Sequence, residues 1–296
     1  MVRMISARFM QDRGWLEGAA LSPTQDDLAM VGRPMRRAAA ALACILASLA
    51  ARPAPAGTTR CWVDNGAVVA PAAFGDIAGD FIFDLSSPKS VLHLDVAQLN
   101  DVEGDVSRNL LRLAGERIPA TLAIAPIDDR AYGLPSTISG LIGADVLAGF
   151  VVDIEFAPCR ITLWRRRAPK FRAKLVLPIQ MVGGAPATAA AVADGHTISS
   201  GLFAIDTGSL GVRLAAATAH LSRTPPGVDA GSRQHPPARL GALSLAEDIF
   251  ERTPAGVADD LPAGLTGSVG TAVWSHYRLR LDLRRGQLLL APAAVQ

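Results

Sequence analysis

Cysteine is scarce in this sequence: there are three in 296 residues. None forms a Cys-x-x-Cys pair, and no His/Cys cluster has zinc-ligand spacing, so a structural zinc site is not expected. An excess of one charge is lacking too. Lys plus Arg number 29 and Asp plus Glu number 27, for a formal net charge of +2. That balance gives no footprint for nucleic acid, and Arg165-Arg166-Arg167 is too short for a broad phosphate-binding face. There is no Gly-rich phosphate loop and no Gly-x-Ser-x-Gly nucleophile elbow. His93, His196, His220, His235 and His276 show no ligand spacing. Ser-His-Asp hydrolysis therefore has little support, and no cofactor or metal is expected.

No apolar run is long enough to span a bilayer comfortably. The segment 38–51 is apolar except for Ser48. It follows Met35-Arg36-Arg37 and leads into small residues and proline through Gly57. A basic start, a short apolar core and a small-residue exit are the parts of a secretory signal peptide. The expected layout is an unstructured extension over 1–34 and a signal over 35–57, with translation starting at Met30 or Met35. Cleavage after Ala50 or Ala56 would deliver the chain to the periplasm or outside the cell, with no stable membrane span. The plainer alternative is an Ala-rich N-terminal helix. Cleavage would remove Cys44 and leave Cys61 and Cys159. An oxidising compartment permits a bridge between them; two buried thiols are the alternative.

Half of the residues are hydrophobic, enough for a substantial core. The body is organised by a repeat. In each half an apolar strand ends in an aspartate that opens a turn: Phe81-Ile82-Phe83-Asp84-Leu85-Ser86-Ser87, and Phe203-Ala204-Ile205-Asp206-Thr207-Gly208-Ser209. Further on, each half has a Gly-rich apolar motif, Gly140-Leu141-Ile142-Gly143 and Gly264-Leu265-Thr266-Gly267. Asp84 precedes Gly143 by 59 residues, and Asp206 precedes Gly267 by 61. Each half closes with alternating segments that read as a hairpin, 151–164 and 279–290. The basic stretch 165–174 is the natural linker. A first lobe is expected over 58–164 and a second over 175–296.

A strand ending in Asp-Thr-Gly-Ser, a Gly-x-x-Gly about sixty residues later and a closing hairpin resemble the lobe of the aspartic peptidase family. Two such lobes in one chain resemble retropepsin-like lobes fused in tandem, the bilobal pepsin-like arrangement. The resemblance covers nearly all of 60–292. It implies a mostly β, acid-protease fold of two β-barrel-like lobes, and a catalytic pair, Asp206 and Asp84. Two close carboxylates cannot both ionise and share one proton, so one acts as general base on a water and the other as general acid. It also implies that Thr207 braces the two turns, that Gly208 brings its N–H to the carboxylates, that Ser209 donates to Asp206, and that Gly267 packs behind the turn. Ser87 keeps the position of Ser209. The partner would be a peptide or protein substrate between the lobes of a monomer.

The first lobe departs from the pattern. Leu85 replaces the bracing hydroxyl, and Ser86 replaces the glycine and adds a Cβ to a tight turn. In the second, Thr266 stands where an aliphatic residue is expected. Tyr132 lies in the right lobe for a flap tyrosine but reads better as a loop aromatic. Asp145, Asp153 and Asp282 read as structural. Two functions stay open, an aspartic endopeptidase or a catalytically impaired pseudopeptidase that binds peptides or proteins.

Overall fold

The computed structural model describes residues 57–131, 133–165, 167–194, 197–221 and 238–293. The N-terminal extension, residues 35–56 of the signal, and Tyr132, His196 and His235 lie outside the described residues.

The architecture is mostly β, with two barrel-like lobes in the aspartic-protease-like arrangement expected from the repeat. The first half forms a seven-stranded sheet. At its centre the strand Ile77–Phe83 runs parallel to Ile138–Ile142. The strand Ala67–Phe74 pairs with Ile77–Phe83 and also with Val106–Leu113, which curls the sheet towards closure. The second half forms a nine-stranded sheet in which Thr197–Ile205 runs parallel to Gly267–Val269. Both central strands end in apolar residues with no exposure: Phe81, Ile82 and Phe83, and Phe203, Ala204 and Ile205. Burial on both faces explains their continuous apolar runs.

The register corrects one detail of the repeat. Phe81 lies opposite Gly140, and Phe203 lies opposite Gly267. Gly140 therefore matches Gly267, and Gly143 matches Gly270, three residues on from the expected pairing. Gly143 and Gly270 each cap a short helix, Ala144–Leu147 and Thr271–Trp274. The segment 264–270 holds two overlapping Gly-x-x-Gly patterns, and the second is the structural one. Gly270, not Gly267, packs behind the turn: a Cβ on it would lie 2.3 Å from the Gly211 carbonyl oxygen. Thr266 matches Ser139, and each crowds the glycine across from it, Gly201 and Gly79.

A third, six-stranded sheet joins the halves. The hairpin Val151–Phe156 and Cys159–Trp164 meets the hairpin Tyr277–Asp282 and Gln287–Pro292, with Ile154 opposite Leu279. Gly57–Arg60 forms one edge and Leu175–Pro178 the other. The two hairpins read from sequence are thus one sheet. Asp153 and Arg280, paired across the central seam, form an ion pair with Nε to Oδ1 at 2.5 Å. Cys61 and Cys159 form a disulfide.

Candidate active site

Asp84 and Asp206 stand at equivalent strand ends, each held by its backbone. The Asp84 N–H donates to the Ile142 carbonyl at 3.0 Å, and the Asp206 N–H to the Val269 carbonyl at 2.9 Å. Both aspartates are wholly buried. A carboxylate there must find donors, because desolvating it alone is costly.

Asp206 has three. Gly208 N–H donates to Oδ1 at 2.9 Å. The hydroxyls of Ser209 and Ser268 donate to Oδ2 at 2.6 and 2.9 Å. Asp84 is served differently. Ser86 donates both its N–H, at 2.8 Å, and its hydroxyl, at 2.7 Å, to Oδ1. The Arg130 guanidinium donates to Oδ2. The expected support from Ser87 is absent: its hydroxyl donates to the Lys89 carbonyl at 2.8 Å. The backbones of Ser87 and Ser209 do match, each carbonyl accepting from the residue after the capping glycine, Ala144 and Thr271. With Oδ1 taken by Ser86 and Oδ2 by Arg130, Asp84 already has its donors. The serine that replaces glycine is therefore a ligand of the carboxylate and does not disturb the turn.

Thr207 ties the two turns together. Its Oγ1 donates to the Phe83 carbonyl at 2.6 Å and accepts the Leu85 N–H at 3.0 Å. Its carbonyl accepts the Val68 N–H at 2.8 Å. Leu85, opposite, is fully buried in the core and offers no hydroxyl in return. Thr271 adds a further tie between the halves, donating to the Gly66 carbonyl at 2.7 Å.

Arg130 belongs to the short helix Asp128–Ala131, which follows the strand Glu116–Ala125. Its Nη1 lies 3.8 Å from Asp260 Oδ2. Asp260 Oδ1 accepts from Arg213, which is buried on the strand Val212–Ala215 that follows the Asp206 turn. A chain of alternating charge thus runs Asp84–Arg130–Asp260–Arg213. Burial pushes the Asp84 carboxyl above the ordinary carboxylate range; Arg130 pulls it down, and Asp206 pushes it up again. Burial disfavours the Arg130 charge, but Asp84, Asp206 and Asp260 together hold its pKa above the ordinary guanidinium value. Burial also acts against the Asp260 charge, but Arg213 and Arg130 hold that carboxyl below the usual range.

No family model matches the chain, and no curated protein matches it. Among solved structures it is similar to the aspartic proteinase from Irpex lacteus. The identity is 13%, the match covers 80% of this chain and 97% of that one, and the TM-score is 0.48.

Sequence reasoning missed Ser86 as a donor, Ser268 and Arg130. Ser268 was hidden by the choice of the earlier Gly-x-x-Gly. Arg130 has no local signal, since its partner lies 46 residues earlier. Asp145 takes the Ser90 N–H and hydroxyl, and Asp153 takes the Trp164 indole N–H and Arg280. Elsewhere in the first half, His93, Asp95 and Asp128 each place one potential ligand atom within 4.8 Å of the others. The His93 Nδ1 already accepts the Asp95 N–H.

Proposed function

We propose that this chain is an aspartic-type endopeptidase, with Asp84 and Asp206 as the catalytic pair. Residues 58–164 and 175–296 are its two lobes and 165–174 their linker. One observation carries this: two buried carboxylates at matching strand ends, from two copies of one motif, tied together by Thr207. In the reaction one carboxylate of the pair takes a proton from a bound water as the oxygen attacks the peptide carbonyl carbon. The other, protonated, donates to the carbonyl oxygen. The carbon–nitrogen bond then breaks: the amine leaves with a proton from the pair, and one of the two hydroxyls on the carbon gives its proton back to the pair, which leaves a carboxylic acid and restores the shared proton. The two carboxylates titrate as a unit, so the roles belong to the pair.

Arg130 sets a condition on this chemistry. While it holds the Asp84 carboxylate, the pair cannot share a proton, so Arg130 must withdraw before substrate is cut. Asp260 is the partner beside it. Acid favours the withdrawal, because Asp84 gains its proton more readily than Asp260 does. The Arg130 contact also favours a second reading, in which the pair stays covered and the cleft only binds peptide.

The test is hydrolysis of an unfolded protein or a peptide library between about pH 3 and 7. Asp206→Asn is expected to abolish it and Asp84→Asn to reduce it strongly. Hydrolysis undiminished in Asp206→Asn would sink the proposal; peptide binding with no cleavage at any pH would leave the binding reading.

Export fits the Cys61–Cys159 bridge, since disulfides persist in oxidising compartments. No helix among the described residues is long and apolar enough to cross a membrane. The proposed protein acts as a monomer on peptide or protein substrates.

A further inference from the structure

The segment 167–171 crosses one face of the six-stranded sheet and is fastened there. Arg280 Nη1 donates to the Pro169 carbonyl at 2.5 Å. The Phe171 ring lies under the guanidinium carbons of Arg280 and Arg278, at 4.7 and 5.3 Å. Between this strap and the sheet is a cavity of about 500 Å³. A second hollow of about 270 Å³ shares Pro169, Lys170, Phe171 and Arg280 with it.

The wall of the larger cavity is cationic. Arg167, Lys170, Arg284 and Arg285 line it, with Val151 and Leu289 among its apolar residues. All four cations are solvent-exposed residues. Arg280, at the sheet, is already neutralised by Asp153, whose Oδ2 accepts from its Nη2 at 2.6 Å. Asp282 is the one carboxylate of the lining; it is buried, accepts the Arg285 N–H at 3.2 Å, and its Oδ2 lies 3.5 Å from Arg285 Nη1, an ion pair that offsets part of that charge. Arg167 and Lys170 make no hydrogen bond or ion pair among the described residues. Arg284 donates to the Gly149 and Arg165 carbonyls at 2.6 and 3.2 Å, which fixes its charge at the rim. Four exposed cations against one lining carboxylate, in a chain with a net charge of only +2, are a local concentration, not a reflection of overall composition. Like charges held this close repel one another, and an anion between them relieves that repulsion. Guanidinium groups present paired donors that match the oxygens of phosphate and carboxylate.

We infer that this cavity is a binding site for a small oxyanion carrying two or more negative charges. The site is independent of the aspartate pair and does not rest on the peptidase proposal.

The test is calorimetric titration of the full chain with tripolyphosphate and, separately, citrate, at ~0.15 M ionic strength, where unspecific surface attraction is screened. Saturable binding of either probe is expected, and the stronger of the two identifies phosphate or carboxylate as the preferred chemistry. K170E/R285E is expected to weaken binding by about tenfold or more. The neutral pair R167Q/K170Q, which breaks no contact of the fold, should weaken it in the same direction. R108E/R117E reverses two exposed charges on the Val106–Leu113 and Glu116–Ala125 hairpin and should leave affinity unchanged. No saturable binding of either probe overturns the inference. So does equal weakening in R108E/R117E, which would mark the effect as general charge attraction.

Discussion

Arg130 donates to Asp84 Oδ2 from a position hard against the opposite turn: a Cβ on Gly208 would stand 2.6 Å from its Nη2 and 2.8 Å from the Asp84 carboxyl carbon. Glycine at 208 is therefore required by the guanidinium and by Asp84 together. The cation thus lies against both turns at once.

Removing it is expected to uncover the pair. Arg130→Gln should raise hydrolysis near neutral pH. It should also move the upper pH limit of activity upward, because the charge that lowers the Asp84 pKa is gone. Rates measured across pH on one peptide check this. Loss of activity at every pH would instead make Arg130 part of the substrate site.

Stability should depend on pH with opposite signs at the two carboxylates flanking Arg130. The folded-state pKa of Asp84 is raised, so the native chain holds this proton more tightly than the unfolded chain does. Its contribution favours the fold in acid and is lost as pH rises through the interval above 3.8. Asp84→Asn should therefore melt higher than the parent near neutral pH, with the gain shrinking in acid. Asp260 is lowered, so it stabilises above the ordinary value and stops doing so as pH falls through its folded value. Asp260→Asn should lower the melting temperature slightly near neutral pH and not in acid, the effect being small because water screens a half-exposed pair.

Thr207→Val keeps the shape and removes the hydroxyl. The Phe83 carbonyl and the Leu85 N–H then lose their buried partner. About 1–3 kcal/mol for each group left unpaired is expected as a fall in urea-unfolding free energy. Thr207→Ser should recover most of it, which separates the hydroxyl from the methyl packing.

The Cys61–Cys159 bridge closes a separation of 98 residues. Replacing both cysteines by serine should cost roughly 2–5 kcal/mol of stability. Comparing the double variant with the oxidised parent in urea measures it; an unchanged midpoint would mean that the sheet alone fixes this edge.

Asp206, Thr207 and Ser209 stood out in the sequence because they lie together in one short motif, and Asp84 because the repeat gives that motif a counterpart. The repeat of that motif also made the two β lobes legible. What was hidden depends on register or on distance along the chain. Ser268 reaches Asp206 only because the second Gly-x-x-Gly, not the first, pairs with the Phe203 strand. Ser86 could be judged from sequence only as a misplaced Cβ, since its hydroxyl acquires a role once the turn aims it at Oδ1. Arg130 comes from a one-turn helix and Asp260 from a loop, both distant in sequence from the aspartates, and no local pattern marks them.

The six-stranded sheet has a consequence for how such a chain can be divided. Its seam, Val151–Phe156 against Tyr277–Asp282, pairs one copy with the other strand to strand. A single copy made alone would carry that seam as a bare edge, a row of backbone donors and acceptors ready to capture another strand. A half made alone is therefore expected to be adhesive, whereas the whole chain supplies within itself the edge that such a half would seek elsewhere.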